Sequence, residues 1–192
     1  FRDTVNAANP NKHAGMIYAS NLCHEIAQNV GFTNLAEEII NEDGTITTKT
    51  NTGDMVTCNL NSISLGRITD EELEENIALQ IRMLDNVISI NQAPVPESRM
   101  SSDKYRAIGL GTSGYHHYLV NHDIQWESDE HIEVADKLFE NIAFYAIKAS
   151  MELAKEKGAY PAFKGSEWET GEYFTRRGYT SDRWKQLAAD VA

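Results

Sequence analysis

The stretch from Ser128 to Lys157 constrains the fold of this chain more than any other. Ile132, Ala135, Leu138, Phe139, Ile142, Tyr145, Ala149 and Leu153 recur mostly at spacings of three and four, which gives a helix one apolar stripe. The helix is expected to start at Ser128, and Gly158 stands where it must stop. At 1.5 Å per residue such a helix is ~40 Å long. An element of that length implies a scaffold larger than a minimal bundle. It carries no strict heptad, so a coiled coil is not expected.

A second helix is expected over about 70–90. Thr69-Asp70-Glu71-Glu72 reads as its capping box, and Leu73, Ile77, Ile81, Leu84 and Ile88 form its apolar face. Upstream the pattern changes. Asn41-Glu42-Asp43-Gly44 between Ile39-Ile40 and Ile46 is a hairpin signal. Val56-Thr57-Cys58-Asn59-Leu60 alternates apolar and polar, and with Ile63 and Leu65 it predicts a strand over about 55–66. Residues 3–8 can form a short helix, and Pro94 and Pro96 predict a loop over 91–102. Long amphipathic helices with short strands between them indicate a mixed α/β protein.

Composition excludes several classes. With 41% hydrophobic and 24% charged residues, the chain is neither disordered nor fibrous. No uninterrupted apolar run approaches the ~18 residues of a membrane-spanning helix. A formal charge of −12 argues against nucleic-acid or anionic-membrane partners. It leaves room for a local basic pocket that takes a small phosphorylated ligand. Two cysteines and no hydrophobic leader point to a reducing cytoplasm. The chain opens at Phe1 without a Met, so a processed protein or a piece of a longer one is expected.

Asn21-Leu22-Cys23-His24-Glu25 is the most informative run for chemistry. In an extended segment Asn21, Cys23 and Glu25 share one face, while Leu22 and His24 point away. That face offers an amide to hold a substrate, a thiol for sulfur chemistry and a carboxylate to move a proton. A plainer reading stays open, in which Asn21 caps a turn, Cys23 packs as a small hydrophobe and Glu25 is solvated. A thiol hydrolase using His24 as base is disfavoured, because strand neighbours point to opposite sides. Cys58 is too distant for a Cys-x-x-Cys motif, and the histidines lack metal-ligand spacing, so no metal site is expected. Gly109-Leu110-Gly111-Thr112-Ser113-Gly114 has the form of a dinucleotide loop, but Ala107-Ile108 is too short to serve as its strand. Close packing explains these glycines better.

Several strings together, in order, resemble the large subunit of class I ribonucleoside-diphosphate reductases. Ser20-Asn21-Leu22-Cys23-His24-Glu25-Ile26 resembles the family's active-site finger loop. Val56-Thr57-Cys58-Asn59-Leu60 with Ser62-Ile63-Ser64-Leu65-Gly66 resembles the strand that carries its second active-site cysteine. Leu84-Asp85-Asn86-Val87-Ile88, Pro94-Val95-Pro96 and Arg106-Ala107-Ile108-Gly109-Leu110-Gly111 resemble the stretch that follows. Phe1-Arg2-Asp3-Thr4-Val5-Asn6 and Gly114-Tyr115-His116-His117-Tyr118-Leu119 lean toward the bacterial class Ib branch. The match runs along nearly the whole chain but covers only a central portion of the family's length.

The resemblance implies a fold and a set of roles. The fold would be part of a ten-stranded α/β barrel, with residues 1–192 a fragment of the catalytic barrel domain and the finger loop at about 17–30. Cys23 would become a thiyl radical that removes hydrogen from the ribose 3′ carbon. Glu25 would take the 3′-hydroxyl proton, and Asn21 would orient the substrate. Backbone groups of Asn21, Leu22, Cys23, His24 and Glu25 would line the substrate site. Cys58 would be half of a redox-active disulfide whose partner lies outside the chain, since the reaction needs three cysteines and this chain holds two.

The implied partners are a ribonucleoside diphosphate substrate, a radical-generating small subunit, a second large subunit and a thioredoxin- or glutaredoxin-like reductant. The implied cofactors are a metal-tyrosyl radical in the small subunit and nucleoside triphosphate effectors, with no cofactor bound by this segment. By itself the chain is expected to turn over no substrate. The alternatives are an adenosylcobalamin-dependent class II reductase segment and a non-catalytic folding or interaction module.

Overall fold

The computed structural model describes residues 2–192. In chain order it contains helix α1 (Arg2–Ala7) and strands β1 (Asn34–Ile40), β2 (Ile46–Asn51) and β3 (Leu60–Ser64). Helices α2 (Leu73–Ile90) and α3 (Pro96–Tyr105) follow, then strand β4 (Gly109–Ser113). Helices α4 (Tyr115–Asn121), α5 (Asp129–Lys157), α6 (Glu167–Thr170), α7 (Glu172–Arg177) and α8 (Asp182–Val191) complete the chain. The architecture is mixed α/β. Among the described residues the strands form two separate two-stranded sheets, β1–β2 and β3–β4, and no closed barrel.

β3 and β4 run parallel, with Leu60 opposite Gly109 and Ser64 opposite Ser113. A parallel pair cannot be closed by a tight turn, so the chain must cross over, and it does so through α2 and α3. The pairing is close: a Cβ at Gly109 would collide with the Leu60 side chain. Gly109 therefore serves strand packing, while Gly114 takes φ 69° at the start of α4.

The main core lies where α2 and α5 pack beside β3. Leu73, Ile77, Ile81 and Leu84 of α2 are each at most 4% exposed. Several of them meet Ile63 of β3, Leu119 of α4, and Leu138, Ile142 and Leu153 of α5. Each such side chain contributes about 1.5–3 kcal/mol when fully buried. The expected capping box is half formed: the Thr69 amide donates to Glu72 Oε2 at 2.9 Å, and the helix opens at Leu73 rather than at 70. α5 has the expected limits, with the His131 amide donating to Ser128 Oγ and Gly158 at φ 90°.

Three expectations are corrected. The strand about Cys58 is shorter than 55–66, because the backbone of Met55 and Thr57 bonds to side chains from other segments and regular pairing starts only at Leu60. The segment 91–102 is not all loop: Pro96 is the first residue of α3, where its missing N–H and fixed φ suit a helix start. Ile132 and Phe139 are 67% and 42% exposed instead of buried, because α5 turns Leu138 and Val134, not these two, toward the main core. Phe139 leans on the Tyr115 ring, 5.5 Å between centroids.

The expected hairpin is present as antiparallel β1–β2. Asp43 Oδ1 accepts from the Thr45 amide and hydroxyl, and Gly44 takes φ 81°. A second, smaller core joins Met151 of α5 to Phe174, Trp184 and Leu187. Trp184 Nε1 donates to Glu140 Oε1 at 2.8 Å, and the Tyr179 ring stacks on the indole at 3.8 Å.

Glu167 ties this C-terminal part to the start of the chain. Its side chain is 2% exposed and is held by Lys12, with Nζ 2.8 Å from Oε1, and by the Arg176 guanidinium. Burial alone would raise its pKa, but the bonds from Lys12 and Arg176 outweigh that and hold the carboxyl below its usual value. Because the folded pKa is depressed, this stabilisation is present above the unfolded value of ~4.3 and fades as pH falls through the folded one. Glu167→Gln is expected to destabilise the protein by about 2 kcal/mol near neutral pH. In urea unfolding, the gap from wild type should narrow below about pH 4. A gap that stays constant into acid would contradict this.

Candidate active site

The finger segment is a loop with a braced stem. At its base the Val30 amide donates to the Met16 carbonyl at 2.9 Å. Asn6 grips Ile17 by two bonds: its Oδ1 accepts from the amide at 2.8 Å and its Nδ2 donates to the carbonyl at 2.7 Å. Asn9 and Asn29, both buried, join side chain to side chain at 2.8 Å, and Asn29 also donates to the Asn11 carbonyl. Asn6, Asn9 and Asn29 are thus the latch of the loop. Ile17 and Ile26, 3% and 8% exposed, fix the stem in the protein body.

The tip differs from the extended form expected of Asn21–Glu25. The Asn21 carbonyl accepts from the His24 amide at 3.2 Å, and His24 takes φ 64°. Asn21 Oδ1 accepts from the Ile26 amide at 3.0 Å, and Ser20 Oγ donates to the Ile26 carbonyl at 2.6 Å. These bonds draw 21–26 into a turn, because the run has no neighbouring strand to take up extended backbone groups. Alternation of faces does not apply here, and Asn21 does cap a turn. Leu22 is 95% exposed, and Cys23, His24 and Glu25 are exposed with it.

Glu25 borders a cleft of about 170 Å³ with Ile26, Ala27, Gln28, Asn59, Leu60 and residues 107–109. The cleft thus brings the finger loop to the start of the β3–β4 pair. Cys23 and Asn21 do not line it. Cys58 sits one residue before Asn59, and Cys23 and Cys58 are both free and exposed thiols. Among the described residues no group of three or more His, Cys, Asp or Glu is arranged to hold a metal ion.

Sequence reasoning missed the supports of the Cys58 segment. Gln28 Nε2 donates to the Thr57 carbonyl at 3.4 Å, which links the loop stem directly to that segment. Asp54 donates its amide to Gly31 and accepts from Lys104 of α3 at 3.1 Å. Burial works to lower the Lys104 pKa, but bonds to Tyr105 and Asp54 outweigh it and raise the value, so the lysine stays charged. The signal for α3 was present: Pro96-Glu97 is a helix opening, and Arg99 and Asp103 form an i,i+4 pair.

Asn21→Ala should free the Ile26 amide. Its hydrogen exchange is expected to speed up while that of Val30 stays slow. Unchanged exchange at Ile26 would show that the Asn21 side chain does not hold the turn.

Comparison with known proteins gives one family. The family model described as ribonucleotide reductase, barrel domain, matches residues 1–192. The ribonucleoside-diphosphate reductase subunit alpha of Treponema pallidum (strain Nichols) is 51% identical, over 100% of this chain and 23% of that protein. The subunit alpha of Helicobacter pylori (strain J99) is 37% identical over 89% of this chain and 26% of its own length. That of Synechocystis sp. (strain PCC 6803) is 34% identical over 100% of this chain and 23% of its own. The chain spans about a quarter of the length of these curated relatives.

Proposed function

Because the chain belongs to the ribonucleotide reductase barrel-domain family, we propose that the whole protein reduces ribonucleoside diphosphates to deoxyribonucleoside diphosphates by a thiyl-radical mechanism. The observation that carries this reading is the likeness along residues 1–192, with the asparagine, thiol and carboxylate of the motif all on one loop. β3 and β4 are then adjacent strands of a ten-stranded α/β barrel, and residues 17–30 are its finger loop.

In this reading Cys23, at the exposed tip, gives up a hydrogen atom to an oxidant supplied by a separate small subunit. Its thiyl radical takes the hydrogen from the ribose 3′ carbon, and Glu25 takes the 3′-hydroxyl proton. The Asn21 amide and the backbone of Leu22, Cys23, His24 and Glu25 orient the sugar. The 2′-hydroxyl leaves as water. Loss of that oxygen requires two electrons and two protons, which come from the Cys58 thiol and a second thiol outside this chain as they close to a disulfide. Cys23 returns its hydrogen to the 3′ carbon and is again a thiyl radical; the hydrogen atom passed to the small subunit's oxidant then comes back to restore its thiol, while Cys58 is consumed. An external dithiol of the thioredoxin or glutaredoxin type then reopens the disulfide.

A metal-tyrosyl radical in the small subunit would supply the oxidising equivalent. Nucleoside triphosphate effectors and a second large subunit complete the assembly we infer. The relatives' names, subunit alpha of a diphosphate reductase, favour this two-subunit class over a cobalamin-dependent one. The leaning to class Ib rests on the strings at 1–6 and 114–119. No helix of the described residues is long and apolar enough to cross a membrane. We assign the whole protein to the cytoplasm.

The test uses the full-length protein with its small subunit and a dithiol. Cys23→Ser should abolish deoxyribonucleotide formation, and Glu25→Gln should lower kcat by about 10²–10⁴-fold. Wild-type turnover by Cys23→Ser would reject the radical role.

A further inference from the structure

Residues 52–59 carry Cys58 through the protein without a strand beside them. Besides the bonds from Gln28 and to Gly31, α3 fixes their course. The Met55 amide donates to Ser101 Oγ at 2.7 Å, and the Thr57 and Ser98 hydroxyls share a hydrogen bond of 2.7 Å. On the far side of Cys58, the Asn59 carbonyl accepts from the Gly109 amide at 2.9 Å. The cysteine is therefore exposed but tethered on both sides.

The serines themselves are the informative feature. Ser98 and Ser101 are each 6% exposed and lie three apart on the inner face of α3, where Tyr105 is also buried. An apolar residue would fill such a position at less desolvation cost, since a buried hydroxyl is tolerated only when hydrogen-bonded. The outer face of the same helix carries Arg99 and Asp103, paired at 2.7 Å, so α3 has ample polar surface elsewhere. Both inner hydroxyls are directed to the Cys58 segment.

We propose that Ser98 and Ser101 are positioning residues that hold the Cys58 thiol in line for disulfide closure in each turnover. The proposal rests on the reading of Cys58 as half of the reducing dithiol. The serines touch neither thiol nor substrate. They act by fixing the backbone from 55 to 57, so that Cys58 meets its partner thiol in one geometry. A misplacement of ~1 Å in such a reaction costs about a hundredfold in rate.

The experiment uses full-length protein with its small subunit, a ribonucleoside diphosphate and a dithiol. Thr57→Val deletes one hydroxyl with little change of shape, and Ser98→Ala deletes its partner. Each is expected to lower kcat about tenfold with KM unchanged, and the double variant to be no worse than either single, since one shared bond is lost. Thr57→Ser, which keeps the hydroxyl, should restore kcat. Ser101→Ala should lower kcat independently, adding to Ser98→Ala. Wild-type kcat in Thr57→Val and Ser98→Ala would overturn the proposal, as would a Thr57→Ser variant as slow as Thr57→Val. Cys58→Ser separates the two levels. If it is inactive with dithiol while the hydroxyl variants are normal, positioning alone fails; if it sustains turnover, the reading of Cys58 fails and the proposal with it.

Discussion

The parallel pairing of β3 with β4 sets the terms for the rest of the chain. Two parallel strands must be joined by a long crossover, and here that crossover is α2 and α3. α2 lies over the pair and buries Ile77 and Ile81 with Ile63 and Leu65 in the main core. α5 packs against α2 and adds Leu138, Ile142 and Leu153 to the same core. The close approach at Gly109 brings the cleft residues 107–109 beside Leu60 and Asn59. Without this pairing the Cys58 segment would have no fixed end, and the finger loop no surface to rest on.

Polar bonding, more than apolar packing, shapes the site itself. The finger loop has only Ile17 and Ile26 as buried apolar anchors, and asparagines do the rest. Asn6, Asn9 and Asn29 satisfy backbone groups that a loop outside any sheet would otherwise leave unpaired. The same logic holds for Ser98 and Ser101 opposite Met55 and Thr57. An exposed tip on a braced stem is the arrangement that the proposed radical chemistry needs. The thiol can reach substrate while its backbone stays in one place.

Legibility from sequence followed the strength of the local pattern. α5 was readable because its stripe is long and both ends are marked by Ser128 and Gly158. The β1–β2 hairpin was readable from Asn41–Gly44, whose side chains and glycine dictate the turn. α3 was not: its mean polarity hides a face of small buried residues, and Pro94 and Pro96 suggested a loop where Pro96 opens a helix. The finger tip failed for another reason. Alternation of faces assumes a neighbouring strand, whereas the Asn21 side chain closes a turn within its own loop. The motif suggested the proposed chemistry; the bonds of its own side chains decided its shape.

The account gives the two cysteines opposite fates in a turnover. Cys23 is used and restored, and Cys58 is oxidised and must be reduced from outside. The most direct measurement is disulfide mapping of full-length protein quenched after reaction with substrate and small subunit in the absence of any external dithiol. The account predicts a disulfide between Cys58 and a cysteine outside this chain, in proportion to the product formed, with Cys23 recovered as a thiol. Product formed while Cys58 stays reduced, or a disulfide that contains Cys23, would contradict it.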